Sequence, residues 1–303
     1  MPDNVLTLIA AAGAAAQTGA AVDAVTGALR RLGAGVAPRR WLAPDIACDI
    51  PFDDLDTDQA DAAARAALAE LGAPATDLVA QPAADRRKRL LLADMESTII
   101  ANEMLDELAD LLGLRAQVAE ITRRAMNDEI DFAAALRERV ALLKGMREAA
   151  LAVAGARIRI TPGARALVAT MRAHGAYTAL VSGGFRFYTG RIRAELGFDL
   201  DIANEIRIED GRLSGLVCEP IRGRSDKLTS LKRLAAEHGM PLSATLAVGD
   251  GANDIEMLEA AGLGVAFHAQ PALAKRARTR IDHADLTALL YAQGYSDGEI
   301  VRG

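Results

Sequence analysis

Two apolar runs in this chain end in carboxylates. Leu90-Leu91-Leu92-Ala93 leads into Asp94-Met95-Glu96-Ser97-Thr98, and Ala247-Val248 leads into Gly249-Asp250-Gly251-Ala252-Asn253-Asp254. Short apolar runs bounded by turn residues read as buried strands, and open parallel sheets bind ligands outside the carboxyl ends of their strands. The two acidic clusters are therefore expected to meet. Asp94, Asp250 and Asp254 converging on one point repel one another unless a hard cation sits among them, and Mg²⁺ takes oxygen ligands of this kind. A carboxylate at a strand end can also attack phosphorus and form an aspartyl-phosphate. Taken alone, Asp94 would be read as a cap for the next helix; with Asp250 and Asp254 beside it, it is the expected nucleophile.

Other residue types fit the same chemistry. Ser182-Gly183-Gly184 follows the apolar run Tyr177-Thr178-Ala179-Leu180-Val181, and a hydroxyl with two glycines at a strand end lets backbone N–H groups approach an anion. A plain tight turn explains that triplet equally well. Lys227 lies in Gly223-Arg224-Ser225-Asp226-Lys227, where a helix starts. Cations are slightly disfavoured there, which suggests a task, neutralising a phosphate and the nucleophile together; a solvated surface lysine is the plainer alternative. Glu103, Asp106, Glu107 and Asp110 crowd eight positions, the mark of a solvated face. Arg139 carries no signal of its own. His174, His238, His268 and His283 have no metal-ligand spacing.

From Leu90 onward, buried strands are expected at 90–94, 177–182, 244–249 and 263–267 with helices between them, a doubly wound α/β parallel sheet. One helix should follow Thr161-Pro162-Gly163, with Thr161 as cap and Pro162 at its first position. Residues 102–158 are helical without a strand and read as a lid over the strand ends. Residues 205–219 read as a hairpin turning at Asp210-Gly211. Ahead of the sheet, residues 1–85 give strand 5–11, helix 21–32, strands 36–42 and 45–52, helix 58–71 and strand 76–81. That β-α-β-β-α-β order is ferredoxin-like. Gly33 and Gly35 end the first helix, and Gly72 with Pro74 ends the second. No catalytic cluster falls in this segment, so it is expected to be a packing or dimerisation module, giving a homodimer through it; a small-molecule sensor is the sharper alternative. Arg86-Arg87-Lys88-Arg89 reads as a solvated linker, an exposed boundary between a domain at 1–85 and one at 86–303 where few contacts cross.

With 303 residues the chain has room for both domains. A net charge of −6 argues against a nucleic-acid surface. Cys48 and Cys218 cannot build a disulfide framework or a thiolate metal site, which fits a reducing cytosol. The apolar stretch 5–16 is preceded by Asp3 and no Lys or Arg, so it is expected to be the first strand, not a signal peptide. No stretch has the sustained hydrophobicity of a membrane span. A cytoplasmic protein acting on a small molecule, with no nucleic-acid or membrane partner, is expected.

These residues in this order resemble the haloacid dehalogenase superfamily of phosphotransferases, and within it the phosphoserine phosphatase family, over residues 90–290. The motifs are Asp94 to Thr98, Ser182-Gly183-Gly184, Lys227, and Gly249-Asp250 with Asn253-Asp254; similarity also runs through Leu105 to Ala109, Thr122 to Asn127, Asp131-Phe132 and Leu136 to Gly145. The resemblance implies hydrolysis of O-phospho-L-serine, the last step of serine biosynthesis, through a phosphorylated Asp94. It implies Mg²⁺ held by Asp94, the backbone carbonyl of Glu96 and Asp250, with Asp254 in support. Ser182, Gly183, Lys227 and Asn253 would grip the phosphoryl group, Glu103 would take the substrate ammonium, and Arg139 its carboxylate. Residues 1–85 resemble, in element order only, the ACT-type regulatory domains of some members. One position departs: the family usually has Asp two residues after the nucleophile, as general acid and base, and this chain has Glu96. The backbone is adjusted to Glu, or the enzyme is slow or disfavours water, or the chain is a regulator without catalysis; the retained carboxyl and intact motifs favour the first. A phosphatase or phosphotransferase for another small phosphomonoester, and a non-catalytic amino-acid sensor, stand as alternatives.

Overall fold

The computed structural model describes residues 2–72, 75–126 and 129–302; Pro74 and Asn127 lie outside them. The first unit runs β1 (Asn4–Ala10), α1 (Ala15–Arg31), β2 (Gly35–Val36), β3 (Arg40–Ala43), β4 (Ala47–Asp53), α2 (Thr57–Glu70) and β5 (Thr76–Pro82). Its antiparallel sheet has the order β2-β4-β1-β5, with β3 also on β4, which is the ferredoxin-like arrangement. The expected strand 36–42 is broken into β2 and β3 across Pro38, which has no N–H to give a ladder. Helix α2 starts where Asp56 accepts the N–H groups of Asp58 and Gln59.

The second unit opens with β6 (Leu90–Asp94), then the helical insertion α3 (Met104–Leu111), α4 (Arg115–Met126), α5 (Phe132–Ala141) and α6 (Ala149–Gly155). It continues through α7 (Ala164–Ala173), β7 (Tyr177–Phe185), α8 (Arg186–Leu196), β8 (Leu200–Asn204), the hairpin β9 (Ile206–Glu209) and β10 (Arg212–Val217), and α9 (Arg224–Glu237). It closes with β11 (Thr245–Gly249), α10 (Ile255–Ala260), β12 (Leu263–Phe267), α11 (Pro271–Ala274), β13 (Thr279–Ile281) and α12 (Ala288–Ala292). Among the described residues the parallel sheet has the order β13-β12-β11-β6-β7-β8. The chain moves outward from β6 to β7 and β8, then crosses back to β11 on the other side of β6, so the switch point lies between β6 and β11. Every residue of β6 and β11 is buried, as their apolar sequences require of strands covered on both faces. Two edge strands, β8 and β13, were not expected from the sequence. Helix α7 also starts differently: its first cap is Gly163 in the left-handed region (φ 81°), so Pro162 lies before the helix and Thr161 makes no side-chain cap.

The basic run is solvated only in part: Arg87 and Arg89 are exposed, but Arg86 and Lys88 turn inward. Arg86 is bidentate to the buried Asp49 carboxylate at 2.8 Å for each bond, and also donates to Thr7 Oγ1 and the carbonyls of Tyr291 and Ala292. Arg87 stacks 4.2 Å over the Tyr295 ring, and Lys88 is buried. The buried Asp77 carboxylate accepts the N–H groups of Asp282, His283 and Ala284. Side chains of β1 alternate: Leu6 and Leu8 pack under α1 and α2, whereas Ile9 joins the core cluster of the second unit together with Ala47, Val79, Leu289 and Tyr291. The outer face of the first sheet is thus covered by the second unit. No helix of the described residues is long and apolar enough to cross a membrane.

Candidate active site

The strand ends at the switch point bring the carboxylates together. Asp94 ends β6, and Asp250 and Asp254 follow β11; all three are buried, and each offers an oxygen within 4.8 Å of the others. Lys227, on the first turn of α9, is buried among them, with its Nζ 2.9 Å from Asp94 Oδ2 and 2.6 Å from Asp254 Oδ1. Burial disfavours that ammonium, but Asp254 and Asp94 outweigh it and hold the lysine charged. Asp94 is pushed well above the carboxylate range by burial, with Lys227 opposing and Asp254 and Asp250 adding to the push. Asp250 is pushed up to about 6 by burial, then by Asp254 and Glu103. One ammonium among three buried carboxylates leaves the cluster short of positive charge, and its oxygen-only donor set fits a hard divalent cation. Asp250 is oriented by Thr98 Oγ1 and Gln270 Nε2, each donating at 3.3 Å.

Glu96 lies next to this cluster and is partly buried. Its Oε1 accepts the Met104 N–H at 2.8 Å, the first amide of α3. Its Oε2 packs on Gly184, where a Cβ would lie only 2.7 Å away. The longer carboxyl is therefore held by a helix amide and lodged against a residue with no side chain. Burial and the neighbouring Glu103 push its pKa to about 8, against the Met104 N–H bond and the more distant Arg139 and Lys227. That shift favours the protonated carboxyl.

Ser182 Oγ accepts the Gly184 N–H at 2.9 Å, and the Gly183 carbonyl is held by Asn204 Nδ2 at 2.8 Å. Phe132, on α5, covers Gly183: a Cβ there would lie 2.9 Å from its ring. A partly open cavity of about 160 Å³ lies here, and Asp94, Glu96, Glu103, Arg139, Ser182, Gly183, Asp250 and Asn253 all line it. Lys227 and Asp254 sit just behind that lining, in contact through the ion pairs above. Glu103 is solvent-exposed, yet it lines this cavity. It precedes α3 as its N-cap residue, accepts a 2.6 Å bond from Ser97 Oγ, and is pushed up by partial loss of water. Asp110 and Glu107 instead pair with Arg157. Arg139 is mostly buried, which lowers its pKa somewhat, and its Nε donates to the Ala135 carbonyl; it makes no ion pair among the described residues.

Every candidate singled out in the sequence thus comes to one place. Gln270 was not singled out, and nothing in the sequence around it announces a partner at Asp250; Thr98 and Gly184 were named only as parts of their motifs, without the contacts to Asp250 and Glu96.

A family model described as haloacid dehalogenase-like hydrolase matches residues 91–259. A phosphoserine phosphatase of Streptomyces coelicolor is 43% identical over 215 residues, 71% of this chain and 52% of that protein. The chain thus spans about half the length of that curated relative. Among solved structures, a haloacid dehalogenase family hydrolase of Salmonella enterica serovar Typhi superposes with a TM-score of 0.82 at 28% identity, covering 95% of this chain and 97% of that one. A phosphoserine phosphatase solved as a phospho-aspartyl intermediate analogue superposes with a TM-score of 0.63 at 38% identity, covering 67% of this chain and 98% of that one.

Proposed function

The chain belongs to the haloacid dehalogenase-like hydrolase family, and from that premise we propose that it hydrolyses O-phospho-L-serine to L-serine and phosphate with Mg²⁺, as the last step of serine biosynthesis. The observation that carries the proposal is the shared lining of one small cavity by Asp94, Glu103 and Arg139. A phosphomonoester without an amino acid's ammonium and carboxylate gives Glu103 and Arg139 nothing to pair with, and a guanidinium suits a carboxylate because it binds it bidentately. A cavity of about 160 Å³ also suits a small phosphomonoester better than a phosphorylated chain.

In the proposed mechanism an Asp94 oxygen attacks phosphorus in line, the bond from phosphorus to the serine oxygen breaks, and Glu96 gives that oxygen its proton. Glu96, now a carboxylate, takes a proton from water as the water oxygen attacks the Asp94 phosphoryl group, releasing phosphate and free Asp94. The protonated state favoured by burial and Glu103 suits the first step. Ser182, the Gly183 amide, Lys227 and Asn253 hold the phosphoryl oxygens as charge accumulates on them. Asp94, the Glu96 carbonyl and Asp250, supported by Asp254, would hold Mg²⁺. Bound there, the ion would neutralise the carboxylates and polarise the phosphoryl group.

We further take residues 1–85 as an ACT-type module and 86–303 as the phosphatase unit with its helical cap at 102–158. A cytosolic location accords with two free cysteines. A sensor without catalysis would have no use for Asp94, Lys227 and Asp250 held together. The test is phosphate release from a panel of phosphorylated amino acids and simple phosphomonoesters, with and without Mg²⁺. Phosphoserine should lead the panel and depend on the metal; a flat panel, or none hydrolysed, rejects the assignment.

A further inference from the structure

A second cavity, of about 550 Å³, lies between the two units and away from the acidic cluster. The end of β5 and the chain after it form one wall; α10, the start of β12 and the turn after α11 form the other. Ala80, Ile255, Leu258, Leu263 and Leu273 give it an apolar patch within a lining that also holds polar and charged residues. Into this lining comes Lys88, only 7% exposed. Its ammonium donates to the carbonyls of Asp85 at 3.0 Å and Ser243 at 2.9 Å, both residues that line the cavity. Asp85 turns its carbonyl inward from a left-handed backbone (φ 52°). An ammonium has three protons to give, and among the described residues Lys88 makes no ion pair. Burial pulls its pKa below the ordinary lysine value, and the Asp85 charge only partly restores it. The arginines of the lining are neutralised, Arg276 by Glu259 at 2.6 Å and Arg278 by Asp58 at 2.8 Å.

A buried charge without a counter-ion is costly unless it is paired, and here the ammonium borders a cavity large enough to hold its partner. We propose that this cavity binds a small organic anion, a carboxylate seated on Lys88 with an apolar body against Ile255 and Leu258. None of these residues takes part in the phosphatase chemistry, so the site stands or falls independently of it. The occupant would touch both units at once, and on the core side it would rest on α10, whose first residue follows Asp254 directly.

The full-length protein is titrated with 4-phenylbutyrate at constant ionic strength while thermal unfolding is followed, with neutral 4-phenyl-1-butanol as the control. For a Kd near 1 mM, 10 mM carboxylate should raise the midpoint by about 2 to 3 °C, and the alcohol by less than a third of that. Lys88→Met keeps the stem and removes the charge; Ala277→Trp fills the cavity and leaves Lys88 in place. Both should lose most of the shift. Should Lys88→Met not fold, Ala277→Trp decides alone. No shift in the unaltered protein, an equal shift with the alcohol, or a full shift in either folded variant overturns the proposal.

Discussion

Replacing Gly184 with alanine puts a methyl group where Glu96 now rests. The added carbon would lie 2.7 Å from Glu96 Oε2, and 3.1 Å from both Glu96 Cδ and Ser182 Oγ. Comfortable contact needs roughly 3.5 Å, so the Glu96 carboxyl must retreat by somewhat under 1 Å. The obstacle is the end of a flexible side chain, and Gly184 is not among the glycines with positive φ. Stability should therefore fall by only about 1 kcal/mol, the low end for overpacking. Catalysis is far less forgiving: a misplacement of about 1 Å can cost about 100-fold. For Gly184→Ala we expect kcat on phosphoserine to drop about 10- to 100-fold with KM little changed. Glu96→Asp supplies the second arm. The shorter side chain loses its bond to the Met104 amide and draws its carboxyl back, so alone it should also slow the enzyme. In the Gly184→Ala background there is no Oε2 left to clash with, so the double variant should be clearly faster than the product of the two single effects. Steady-state phosphate release with Mg²⁺, beside thermal melts of each variant, measures all of this. Activity of Gly184→Ala within twofold of wild type, or strictly multiplicative effects, would refute the idea that this glycine makes room for the longer acid.

Three further outcomes are expected. Arg139→Ala should raise KM for phosphoserine by at least tenfold, while KM for p-nitrophenyl phosphate changes little, since a charge-assisted contact is worth about 1.5 to 3 kcal/mol; equal effects on both substrates remove Arg139 from substrate reading. Because Asp250 is pushed up to about 6, protons compete with Mg²⁺ below that pH. Calorimetry should therefore show metal affinity weakening from pH 7 to pH 5 with proton release on binding, and a pH-independent affinity contradicts the cluster as the metal site. Asp77→Ala leaves the N–H groups of Asp282, His283 and Ala284 without their buried acceptor; a loss of about 2 to 4 kcal/mol, or roughly 3 to 6 °C in midpoint, is expected, and an unchanged midpoint means that the seam between the units carries little stability.

The central strands were legible because burial on both faces forces an uninterrupted apolar run, and because parallel topology places whatever follows such runs at one sheet edge. The same logic brought Asp94, Asp250 and Asp254 together before any coordinates. What failed depended on partners far away in sequence. Arg86 looked like part of a solvated run because its carboxylate, Asp49, belongs to the other unit. Glu103 reads as one of four acids on a solvated face, and it is exposed, but it precedes the helix that the others ride and also lines the cavity. The strand β13 is three residues long, too short for any periodicity to register. Glu96 raised a question that its own neighbourhood in sequence could not answer, since the space it needs is provided by Gly184, on a different strand.

The claim on which the rest depends is that Asp94 becomes phosphorylated. The protein is mixed with O-phospho-L-serine and Mg²⁺, quenched in acid during turnover, digested and examined by peptide mass spectrometry. One phosphoryl group is expected on the peptide containing Asp94, absent from Asp94→Asn, which should also release no phosphate. A phosphoryl group on a different residue, or turnover by Asp94→Asn at a substantial fraction of the wild-type rate, contradicts the mechanism.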